Sequence, residues 1–156
     1  MKKTLTVALL MTALSAMADD SVKIVGTWKL ASFKNELQDG SEPRGAYGAR
    51  PTGYIIFTPE GRMFSIVEAE GRKAAENDEQ RAAAFRSMIS YTGRFRLDSG
   101  KFITKVDVSW NPAWVGTEQV RDYKLEGDRL QVISPWVMSP NLGKMTRATV
   151  TWERDK

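Results

Sequence analysis

Apolar and polar residues alternate with a period of two along eight short stretches of this chain, and turn-forming residues separate most of them. The first, "VKIVGTWKLASF" (22–33), sets Ile24, Trp28 and Leu30 near one parity and Thr27 and Lys29 on the other. "YIIFTPEGRMFSIVEA" reads as a hairpin, 54–57 with 62–67, around a tight turn in which Pro59 pre-sets one dihedral and Gly61 supplies a left-handed position. "TGRFRL", "KFITKVDVSW", "GTEQVRDYKL", "DRLQVIS" and "KMTRATVTWE" complete the set, punctuated at Gly100, at "EGD" (126–128) and at "PNLG" (140–143). Between the first two strands, residues 35–53 are rich in glycine and hold Pro43 and Pro51, the composition of a long loop.

One stretch changes period. In "NDEQRAAAFRSMI" the residues Ala82, Phe85, Met88 and Ile89 share a helical face, acidic Asp78 and Glu79 occupy the first turn, and Gly93 ends the region, so a helix is expected over about 78–89. Eight strands and one helix give an all-β fold. An eight-stranded antiparallel barrel with one associated α-helix fits best, a size that can enclose side chains plus one small ligand.

Strand parity then selects the interior. Phe102, Thr104, Val106, Val108 and Trp110 share one face of the fifth strand and are expected inside. In the sixth, Tyr123 and Leu125 fix the inner parity and carry Gln119 and Arg121 inward, while Glu118, Asp122 and Lys124 face water; a bulge would reverse the assignment. A polar group inside a barrel needs a partner or a ligand. Tyr54, Ser65, Trp110, Gln119, Arg121 and Tyr123 are therefore the candidate ligand-binding residues of a partly polar cavity. Trp110 and Trp114 flank an Asn-Pro connection, which leaves two readings, a plug at one barrel end or direct ligand contact.

The N-terminus carries a different message. "MKKTLTVALLMTALSAMADD" has two lysines, a short apolar run and Ala16-Met17-Ala18 before two aspartates, the layout of a secretory signal cleaved after Ala18. Residues 19–156 then form one domain, expected in the periplasm or outside the cell and without a stable membrane span. Lys2 and Lys3 are the only charges in 1–18, so the formal charge of +4 falls to +2 without them. The remaining charges are interspersed, and no nucleic-acid partner is expected.

Cysteine and histidine are both absent. That removes disulfides, Ser-His-Asp and Cys-His nucleophiles and the usual zinc ligand sets. No phosphate-loop, dinucleotide or calcium-loop spacing occurs, so no cofactor or metal is expected.

"IVGTWKLASF", "PTGYIIFTPEGRMFSI", "AAAFRSMISYTGRFRLDSG" and "KVDVSWNPAWVGTEQVRDYKLEGDRLQVISP" together resemble the bacterial and fungal lipocalin-like domain proteins. The most specific part is Ser109-Trp110-Asn111-Pro112, Trp114, Gly116-Thr117 and Arg121. The resemblance implies a calyx-like barrel of the calycin type, with Trp28 packed at a closed end against a late basic residue, Arg147 or Arg154. It also implies relatives in secondary-metabolite pathways, where barrel cousins act as cyclases or isomerases.

Three functional readings follow. The first is binding of a small hydrophobic or aromatic molecule, with Arg121 addressing an acidic or carbonyl group. In the second, an isomerase or cyclase exchanges a proton through Tyr123 or an acidic loop residue while Arg121 stabilises negative charge. A filled, ligand-free envelope domain with Trp114 and Trp136 in a contact patch is the third.

Overall fold

A computed structural model describes residues 20–41, 47–139 and 143–156. The expected signal at 1–18, its cleavage point and residues 140–142 of the "PNLG" turn lie outside the described residues. Among the described residues nine strands form one antiparallel sheet: β1 (Gly26–Leu37), β2 (Thr52–Phe57), β3 (Arg62–Glu68), β4 (Met88–Asp98), β5 (Lys101–Ser109), β6 (Glu118–Glu126), β7 (Arg129–Ile133), β8 (Val137–Ser139) and β9 (Lys144–Arg154). Neighbours in sequence pair from β1 to β7, β9 follows β7, and β9 returns to pair with β1 from Trp28↔Arg154 to Leu37↔Thr146. This closes an eight-stranded barrel. β8 is a short addition that pairs with the start of β9, continuing the line of β7 beyond Pro135, which has no N–H to give the ladder.

Trp28 closes one end of the barrel. It is fully buried, its Nε1–H donates to the Ile24 carbonyl at 2.8 Å, and the Arg154 guanidinium lies 4.1 Å from its ring centre. Arg154 also donates to the carbonyls of Val25 and Lys23, tying the helical residues 20–23 over this end. Of the two basic partners the sequence left open, Arg154 is the one used. Arg147 instead lies over Trp136, 4.7 Å from its ring centre, and pairs with Glu36. Phe57, Phe95 and Phe102 pack edge-on or tilted within the core nearby.

Three of the sequence expectations are corrected by the structure. The helix, α1 (Asp78–Arg86), stops before Met88 and Ile89. Asn77 caps its first turn by accepting from the Gln80 N–H, and Ser87 caps its end, its N–H donating to Ala83 and Ala84. Met88 and Ile89 instead pair with Glu68 and Val67 as the first residues of β4. Long-range pairing overrides the local helical period, and α1 buries none of its residues.

The second correction concerns β5. Gly93 pairs with Val106 and Thr92 with Val108, so Asp107 is an extra residue on β5. One inserted residue reverses every following side chain. Phe102, Thr104 and Val106 point inward and are buried as expected, whereas Val108 is 63% exposed on the outer face. No register shift interrupts β6, where Gln119, Arg121, Tyr123 and Leu125 keep the inner parity. β1 also runs through Leu37, into residues read as loop, because β9 pairs with it along that whole length.

Candidate functional site

The register places the two ends of the barrel. Trp28, Phe57, Met63, Leu130 and Arg154 cluster at the closed end, while the other halves of the same strands surround a cavity of about 180 Å³. Phe33, Ile55, Val67, Phe102, Val132 and Val150 supply much of its apolar wall. Ser65, Tyr91, Trp114, Arg121, Ser134 and Trp152 bring the polar groups. Among the described residues no carboxylate lines it.

Arg121 is the one formal charge among the described residues of that lining, and three neighbours hold it in place. Its guanidinium donates to the Gln119 Oε1 at 2.8 Å and to the Val120 carbonyl at 2.9 Å, and it lies 5.9 Å from the Trp114 ring centre. Gln119 Nε2 donates in turn to Thr117 Oγ1, and that hydroxyl donates to the Trp114 carbonyl. The chain from the 3-10 turn at Pro112–Trp114 to Arg121 therefore fixes both the guanidinium and the indole. Asn111 starts this turn by accepting from the Ala113 N–H, with Pro112 pre-set for the first helical position.

Tyr91 faces Arg121 from β4. Its ring meets Trp114 edge-on at 5.4 Å, and its hydroxyl has no hydrogen-bond partner among the described residues. Burial pushes that hydroxyl's pKa up, against the pull of Arg121, so it stays a donor at neutral pH. Burial pushes the Arg121 pKa down, though a guanidinium remains charged under ordinary conditions. Trp152 lines the same cavity, and its buried indole nitrogen has no partner among the described residues. All of these groups are hydrogen-bond donors.

The six candidate residues divide between two faces. Ser65, 7% exposed, and Arg121 line the cavity, and Gln119 braces Arg121. Tyr123 points inward but towards the closed end, where its hydroxyl donates to Asp20 Oδ2 at 2.9 Å. Tyr54 and Trp110 do not join the lining. Tyr54 is 41% exposed on the outer face of β2, its parity set opposite to that of the buried Ile55. Trp110 follows the β5 bulge and lines an outer groove, packing 4.9 Å from Trp114 and 6.3 Å from Phe85. Of the two indoles flanking Asn-Pro, Trp114 reaches the cavity and Trp110 supports it from outside.

Tyr91 and Trp152 were not among the six. Reading 89–98 at a period of two would have found Tyr91, since Ile89, Tyr91, Gly93, Phe95 and Leu97 alternate down β4, but the adjoining helical pattern obscured its start. The Tyr123 hydroxyl is engaged by Asp20, away from the cavity that Arg121 lines.

These tyrosines carry a prediction for alkaline solution. Burial raises the Tyr47 hydroxyl to about 12, and burial together with the Asp20 carboxylate raises Tyr123 to about 12. Both folded values exceed the unfolded value of about 10, so their contribution to stability is complete below about 10 and is lost as pH rises through about 12. Tyrosinate absorbance of the native protein should lag that of the protein in denaturant. Coincident curves would contradict the assignment.

Comparison with known proteins fits this architecture. Residues 25–155 match the lipocalin-like domain. Over 87 residues the chain is 32% identical to the 4'-hydroxy-3'-methoxypropiophenone carrier protein of Aspergillus oryzae, a match covering 49% of this chain and 76% of the carrier. With a closed antiparallel barrel and a domain match over almost its whole described length, the chain belongs to the lipocalin-like domain family.

Proposed function

We propose that this protein binds and carries a one-ring aromatic molecule bearing a hydrogen-bond acceptor. The carrying observation is the cavity itself: an apolar wall with Arg121 and Tyr91 converging as donors on one side. A cavity of about 150 Å³ accommodates benzene, so one of about 180 Å³ suits a single ring with small substituents. The similar carrier supports the reading, since a substituted propiophenone is a one-ring compound with acceptor oxygens.

The lining favours binding over turnover. Proton abstraction needs a base, and the ionisable groups among the described residues of the lining are Arg121, a fixed cation, and Tyr91, whose pKa burial raises. Residues 1–18 support action in the periplasm or outside the cell, and a mature protein whose mass begins at Met1 would contradict that. Among the described residues no helix is long and apolar enough to cross a membrane.

Ala148 provides the test. It lines the cavity from β9, where a phenyl group would fill the space that a ligand ring needs. Ala148→Phe should fold, because the added volume enters a void, and should weaken ligand binding by about tenfold or more. Quenching of tryptophan fluorescence by 4'-hydroxy-3'-methoxypropiophenone would measure it. Unchanged affinity in a folded variant would place binding elsewhere.

A further inference from the structure

We infer that the cavity selects an aromatic carboxylate, bound as the anion, over a neutral ring of similar size. This rests on the carrier reading above and deepens it. Arg121 makes no ion pair among the described residues, and both of its hydrogen bonds end on neutral oxygens, the Val120 carbonyl and the Gln119 amide. Every carboxylate–cation contact of the described residues involves other cations. A half-buried guanidinium facing an apolar cavity therefore lacks a counter-charge among the described residues. An uncompensated charge in such surroundings is costly until an anion arrives.

A second donor matches the same ligand. Among the described residues Tyr91 presents a hydroxyl without a partner, and the lining residue Trp152, only 3% exposed, has a buried indole N–H that is likewise unpartnered. A carboxylate has two oxygens able to accept from more than one donor, whereas a ketone has one oxygen and no charge. The Gln119–Thr117–Trp114 chain holds the guanidinium before the ligand arrives, so little ordering remains to oppose binding. Arg121 and Tyr91 are the only ionisable groups among the described residues of the lining, and both keep their charge states between weakly acidic and neutral pH.

The matched probes are 4-hydroxy-3-methoxybenzoate and 4'-hydroxy-3'-methoxypropiophenone, titrated calorimetrically into the full chain at weakly acidic pH. The carboxylate should bind about 30-fold or more tightly, the range expected for charge-assisted over neutral hydrogen bonds. Arg121→Gln should abolish most of that preference, and Arg121→Lys should retain part of it. If Arg121→Gln does not fold, wild-type protein alone decides: carboxylate affinity should fall as pH drops below about 4, where the ligand is protonated, while the ketone's should stay level until the protein itself changes. Equal affinities with no such pH difference overturn the inference and leave the carrier reading standing. Binding of neither probe overturns both.

Discussion

Trp28→Ala should lower the free energy of unfolding by about 3–5 kcal/mol, among the largest losses available to any single truncation in this barrel. The side chain is fully buried at the closed end, so its removal leaves a void that the surrounding strands cannot fill. Two further contacts disappear with it, the Nε1–H bond to Ile24 and the cation–π contact with Arg154. Trp28→Phe keeps a ring but removes the indole donor, and an intermediate loss is expected from the unsatisfied Ile24 carbonyl, about 1 kcal/mol beyond the lost packing. Urea unfolding of the three proteins would order them. Stability of Trp28→Ala within about 1 kcal/mol of wild type would show that the closed end does not depend on this residue.

A comparable loss is expected from adding a single carbon. At Gly93, a β-carbon would stand 1.9 Å from the Lys105 carbonyl oxygen and 2.7 Å from its carbon. The obstruction is backbone of the neighbouring strand, next to the β4–β5 bulge, and no rotamer change can relieve it. Gly93→Ala should therefore cost about 3 kcal/mol or more and loosen the bulge that turns Val108 outward. Gly61→Ala makes a useful contrast. Its backbone is left-handed, at a φ of 80°, but the nearest obstruction lies 3.8 Å away, so it should cost only about 1 kcal/mol from conformational strain. If Gly93→Ala were no more destabilised than Gly61→Ala, close strand approach would not be the reason for glycine at 93.

The sequence revealed most of the barrel because most of its strands obey one periodicity. β6 is the clearest case: without a bulge, the parity anchored at Leu125 placed Arg121 and Gln119 inside. Parity failed where an inserted residue changed it. Asp107 cannot be identified as a bulge from β5 alone, since the insertion exists only relative to the pairing of Gly93 and Thr92 on β4. Met88 and Ile89 misled for a related reason, as their helical spacing is local while their pairing with β3 is not.

The site was legible in its charge and less so in its partners. Arg121 stood out as a cation on an inward parity, but alternation cannot tell how far along the barrel a residue sits. Tyr123 thus shared Arg121's face and belonged to the other end, where Asp20 engages it. Tyr91 comes from a strand two places earlier in the chain and meets Arg121 only through barrel curvature and the Trp114 turn.

The five tryptophans allow the binding claim to be located as well as measured. In nitrogen-labelled protein titrated with 4-hydroxy-3-methoxybenzoate, the indole N–H signals of Trp114 and Trp152 should shift together and saturate, while that of Trp28 at the closed end stays in place. Movement confined to Trp110 in the outer groove, or no saturable movement at all, would contradict a ligand site inside the barrel.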